Sequence, residues 1–125
     1  MNATRPETEA LPLDVETMRD AARRLLAEDA ELPSFDELQT LTLRLRGHMM
    51  LLIPEVEKAA GRQPKDDVPR YCALACIGEA RMRLGLEAGH GLPAGIAHAK
   101  RLSRAVNALC DHYQNLDGHP GPAKS

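Results

Sequence analysis

The chain has 125 residues and a mass of 13.7 kDa, the usual size of one domain. It is 43% hydrophobic and 27% charged, too apolar for a disordered chain, and a net charge of -2 gives no pull toward nucleic acid or anionic lipid. Three aromatics, Phe35, Tyr71 and Tyr113, are too few for a base-stacking surface, a carbohydrate platform or an all-β core.

Residues 1–12 contain Pro6 and Pro12, follow no sustained period and read as a mobile leader. They are polar and acidic where a signal peptide needs a basic start and an apolar stretch. The longest strongly apolar run, Met49 to Ile53, falls far short of the roughly 20 residues that span a bilayer. Cys72, Cys76 and Cys110 are an odd set in a chain with a viable core, which argues for reduced thiols and a cytoplasmic protein.

Asp14 can cap a first helix, in which Val15, Met18, Ala22, Leu25 and Leu26 form one apolar stripe. Leu32-Pro33 is its predicted end, because the residue before a proline leaves helical geometry. Ser34-Phe35-Asp36-Glu37 then reads as a capping box. The stripe Leu38, Leu41, Leu45, Met49, Leu52 and Val56 follows, widened by Leu43, Met50 and Ile53, which predicts a central helix with more than one neighbour. Pro54 interrupts it, and the unbroken apolar spacing across the proline predicts a single bent helix ending at Gly61.

Asp66, Asp67 and Pro69 mark a third start, with Val68, Cys72, Ala75, Cys76 and Ala80 expected on one face and Ala73, Ile77 and Leu84 close beside it. Residues 85–95 hold four glycines and Pro93 and read as a connector. Leu92-Pro93 opens a last helix with a broad apolar face running from Ile96 to Leu116. The tail 118–125 is polar and carries Pro120 and Pro122. No alternating β pattern occurs. The prediction is an all-α antiparallel four-helix bundle over residues 13–117 with flexible N- and C-terminal tails.

Charge is uneven: residues 1–33 balance at -4 and residues 92–125 at +2, so the acidic first helix is expected beside the basic last one. Cys72, Cys76, Cys110, His48, His98 and His112 are the residue types that bind zinc, but C-x3-C without a second pair matches no standard pattern, and no metal or cofactor is assigned. Cys110 and His112 are two apart on a helix and cannot pair as nucleophile and base. No Glu-x-x-His, P-loop, G-x-G-x-x-G or G-x-S-x-G occurs, so no catalytic residue is assigned. His48, one step from the core stripe, is expected to be a hydrogen-bonded core histidine. Arg81, Arg83, Lys100, Arg101 and Arg104 form the best basic group and read as a solvated face rather than a DNA surface.

The run from Arg24 to Leu38, followed by L-R-G-H-M-M-L-L-I-P-E-V-E (Leu45 to Glu57), D-D-V-P-R-Y-C-A-L-A-C-I-G-E-A-R (Asp66 to Arg81) and A-V-N-A-L-C-D-H-Y (Ala105 to Tyr113), resembles a family of small actinobacterial proteins of unknown function labelled "natural product biosynthesis protein". The resemblance covers about residues 15 to 116. It implies a context near specialised metabolism and transfers no catalytic residue.

Two readings follow. In the first, the protein works by binding another protein or itself, with no role for nucleic acid or membrane. Its long helix carries more apolar positions than one seam needs, and Leu43, Met50 and Leu51 are the candidates for an exposed patch. In the second, the protein is a small-ligand binder or a biosynthetic accessory enzyme, with Pro54 and the glycine-rich connector opening an interhelical pocket near His48, Cys72 and Cys76.

Overall fold

The computed structural model describes residues 13–118; the leader 1–12 and residues 119–125 of the tail lie outside them. Asp14 opens α1 (Val15–Leu26), its carboxylate accepting from the Thr17 backbone N–H at 3.1 Å and from the Thr17 hydroxyl at 2.8 Å. α1 ends at Leu26, well before Pro33, because the apolar stripe stops there. The Ala27 N–H closes the last turn on the Arg23 carbonyl, and Arg24 donates to the Glu31 carbonyl at 2.9 Å, tying the following polar segment back onto the helix.

Ser34 caps α2 (Phe35–Gly61) by accepting from the Glu37 N–H at 3.1 Å. Only half of the expected capping box forms: Glu37 turns its carboxylate to Arg24 of α1 at 3.0 Å. α2 runs unbroken through Pro54 with no second start there. At 1.5 Å per residue its 27 residues span about 40 Å, more than twice the length of α1. Asp67 accepts from the Arg70 N–H at 3.0 Å to cap α3 (Val68–Leu84). α4 (Leu92–Tyr113) follows the connector, and its last turn widens into a π-helix over Gln114–Gly118.

Consecutive helices run antiparallel, which places α2 and α4 parallel and side by side. Two contacts fix that pairing at opposite ends. Gly95 lies so close to Leu38 that a Cβ there would sit 2.8 Å from the leucine Cδ2, and the Gln63 side chain donates to the Leu116 carbonyl at 3.4 Å. Each of these two helices packs against all the others, with α1 on one side and α3 on the other. The largest fully buried side chains accordingly come from this central pair: Leu45, Met49, Leu52 and Val56 from α2; Leu102, Val106, Leu109 and Cys110 from α4. Each contributes about 1.5–3 kcal/mol by leaving water. Ser103 is also fully buried and satisfied, donating to the Ala99 carbonyl at 2.9 Å.

Two expectations about faces are corrected. Ile53 widens the α2 core stripe, but Leu43 and Met50 point to solvent. In α3 the buried side is Ala73, Ile77 and Ala80, whereas Val68, Cys72 and Ala75 are exposed. α3 is apolar all round over Tyr71–Gly78, so its pattern could not select a face. The charge expectation holds in position but not in sign. α1 packs beside α4, yet the ion pair joining them runs from Arg19 of α1 to Asp111 of α4 at 2.7 Å, with Gln114 accepting from the same Arg19 nitrogen.

Candidate functional site

The residues singled out in the sequence fall into three places. Met50, Leu51 and Pro54 lie on the solvent side of α2, with Leu43 seven residues before Met50 on the same side. His48 faces α1, lining an open cleft of about 630 Å³ with Asp20, Arg24, Glu37 and Arg44. Cys76 is half-buried in a groove between α3 and α4 of about 400 Å³, and Cys72 is exposed one turn earlier. His48 and Cys76 therefore line clefts on opposite sides of the α2–α4 pair. The structure does not bring His48, Cys72 and Cys76 into one pocket.

His48 is not a satisfied core residue: its buried Nε2 has no hydrogen-bond partner among the described residues. Burial, reinforced by Arg44 and opposed by Asp14, holds its imidazole below the ordinary value of 6.5. Burial also raises the Cys76 thiol, with Glu79 and Asp111 adding to it, and pushes the fully buried Cys110 thiol up to about 11. Neither is an activated nucleophile, because the reactive species is the thiolate. Among the described residues no group of three or more His, Cys, Asp or Glu side chains converges as a metal site would require. In the basic group, Arg81 pairs with Glu57 and Arg83 with Glu79, each at 3.1 Å, leaving Lys100, Arg101 and Arg104 without an ion pair among the described residues.

The apolar surface has a clear geography. Among the described residues, the exposed large hydrophobic side chains lie on α2, on α3 and on the segments next to them, and none lies on α1 or α4. Leu43 is 71% exposed, Tyr71 75% and Val68 69%, with Met50, Leu51, Leu74, Met82 and Leu86 also exposed, and Leu32 and Phe35 exposed where the chain enters α2. The α3 half of this surface escaped sequence reasoning. Its signal was present: Tyr71–Gly78 is eight consecutive residues without a charge, two full turns with no solvated side.

A second feature lies at the connector. His98 of α4 is only 9% exposed and lines three adjoining clefts of about 570, 290 and 280 Å³ walled by residues 85–91. The connector enters α4 through Gly91, at φ +90°, a conformation that favours glycine. α4 has no side-chain N-cap and no acid in its first turn.

Comparison with known proteins places this architecture as far as a family. The sequence model of a "Family of unknown function (DUF6415)" matches residues 16–118, most of the chain. No curated protein matches the chain, and no solved structure does.

Proposed function

The chain belongs to that family of unknown function, and since the family assigns no activity, we propose from the chain's own geometry that it is a small cytoplasmic accessory protein that acts by binding, docking a second copy of itself on the apolar side formed by α2 and α3. The context near specialised metabolism implied by the sequence resemblance belongs to the same proposal. A cytoplasmic setting is supported by three free cysteines and by the absence, among the described residues, of a helix long and apolar enough to cross a membrane.

One observation carries the reading: among the described residues, the large exposed apolar side chains lie on α2, on α3 and on the segments next to them, and none lies on α1 or α4. At about 25 cal/mol per Å², the 1.5–3 kcal/mol gained per buried side chain corresponds to roughly 60–120 Å². Eight such side chains on this side offer on the order of 500 Å², an apolar centre for the roughly 800 Å² that each partner gives a standard interface. Charge favours a second copy over a charged partner. Glu57 pairs with Arg81 and Glu55 with Lys58, so the charges flanking this side are balanced in sign and suit a self-complementary contact.

Light scattering on the eluting protein tests the proposal. Wild type should run at twice 13.7 kDa. The variant Tyr71→Arg/Met82→Arg, changed only at exposed positions, should run as a monomer with unchanged helix content. A wild-type monomer at hundreds of micromolar would overturn the reading.

A further inference from the structure

His98 is buried, makes no hydrogen bond among the described residues, and stands where three clefts meet. Among the described residues the buried side-chain atom without a partner is His48 Nε2, so the His98 ring nitrogens keep access to the clefts and can donate there. The charged neighbours are cations: Arg46 lines one of the clefts, Arg83 and Arg101 another. Arg83 is already paired with Glu79, while Arg46 and Arg101 have no ion pair among the described residues. Among the described residues Glu87 is the one carboxylate lining these two clefts, so their balance is about one uncompensated positive charge. The third and largest cleft differs in character. It is walled by Phe35, Leu38 and Leu43, with Gln39 and Thr42 as polar company, and it reaches Gly91 at the uncapped start of α4.

We infer that the space beneath the connector is a binding site for an organic monoanion, an apolar body carrying a single carboxylate. The carboxylate accepts from the His98 imidazole N–H and from Arg46 and Arg101, and the apolar body lies against Phe35, Leu38 and Leu43. Arginine guanidinium forks match a carboxylate edge, and an uncapped helix start favours negative charge nearby. The cleft volume of about 570 Å³ falls within the range of small-molecule sites. Burial, with Arg46, Arg101 and Arg83 adding to it, holds the His98 imidazole below its ordinary 6.5, so in the empty site it is neutral and keeps one N–H to donate. This inference rests on observations independent of the self-docking proposal, although Leu43 and Leu86 belong to both surfaces.

Hexanoate, hexanol and inorganic phosphate are the probes, titrated into the full chain while the histidine ring resonances are followed by NMR. Hexanoate should move the His98 ring saturably, with hexanol at least tenfold weaker and phosphate producing no saturable shift. Arg101→Gln, at an exposed position, should weaken hexanoate at least tenfold and leave hexanol unchanged. Equal binding of hexanoate and hexanol would reduce the site to a greasy cleft and overturn the inference. Phosphate binding as well as hexanoate, or no movement of His98 with hexanoate at tens of millimolar, would also overturn it.

Discussion

Gly47 and Gly78 sit inside α2 and α3, exposed, where an added Cβ would meet nothing within 4 Å. Glycine in a helix interior is less favourable than alanine by about 0.5–1 kcal/mol, because it loses more backbone freedom on folding. With no neighbour to resist a methyl group, nothing in the monomer offsets that gain. Gly47→Ala and Gly78→Ala should each stabilise the monomer by about 0.5–1 kcal/mol, and the two, on different helices, should add to about 1–2 kcal/mol. At about 4 °C per kcal/mol for a domain of this size, the double variant should melt roughly 4–8 °C higher. Urea and thermal unfolding followed by circular dichroism at low micromolar protein measure this. Both glycines lie on the side proposed to dock a second copy, so the same methyl groups should hold two copies apart and weaken the dimer severalfold. A double variant no more stable than wild type would refute the reasoning about open space. A stabilised variant that dimerises as tightly as wild type would remove both glycines from the contact.

Other predictions concern the core, the histidines and the thiols. Leu45→Ala, at a fully buried position in the α2–α4 seam, should cost about 2–5 kcal/mol in urea unfolding. His48 and His98 both have folded values below 6.5, so the unfolded chain binds protons first. Stability from them should be whole above about pH 6.5 and fall as the pH drops through the lower folded values. His48→Gln/His98→Gln should flatten that slope, whatever it does to the baseline. Iodoacetamide on the native protein should modify exposed Cys72 first, half-buried Cys76 slowly, and Cys110 only on unfolding, as mass spectrometry would read.

The architecture was legible because helix starts and the main stripe are local signals. Asp14, Ser34 and Asp67 each cap the helix they precede, and Leu38 to Val56 in α2 are buried at the expected spacing. The end of α1 was not, because a proline sets the latest possible stop while the loss of apolar period sets the actual one. The faces of α3 were hidden by its composition: small and apolar residues on every side give periodicity nothing to choose between. The site at His98 was invisible for a different reason. It is assembled from Phe35 and Leu38 at the start of α2, the connector, and the first turns of α4, and only the parallel packing of α2 and α4 brings these segments to one end. In the sequence His98 stood only among residues of metal-binding type.

Hydroxyl-radical footprinting at low and high protein concentration tests the docking claim most directly, because methionine and tyrosine report readily on solvent access. Met50, Tyr71 and Met82 are exposed on the α2–α3 side, and half-buried Tyr113 on α4 serves as the internal reference. The account predicts that the first three lose reactivity as concentration rises while Tyr113 does not. Equal labelling of Met50, Tyr71 and Met82 at both concentrations would contradict it.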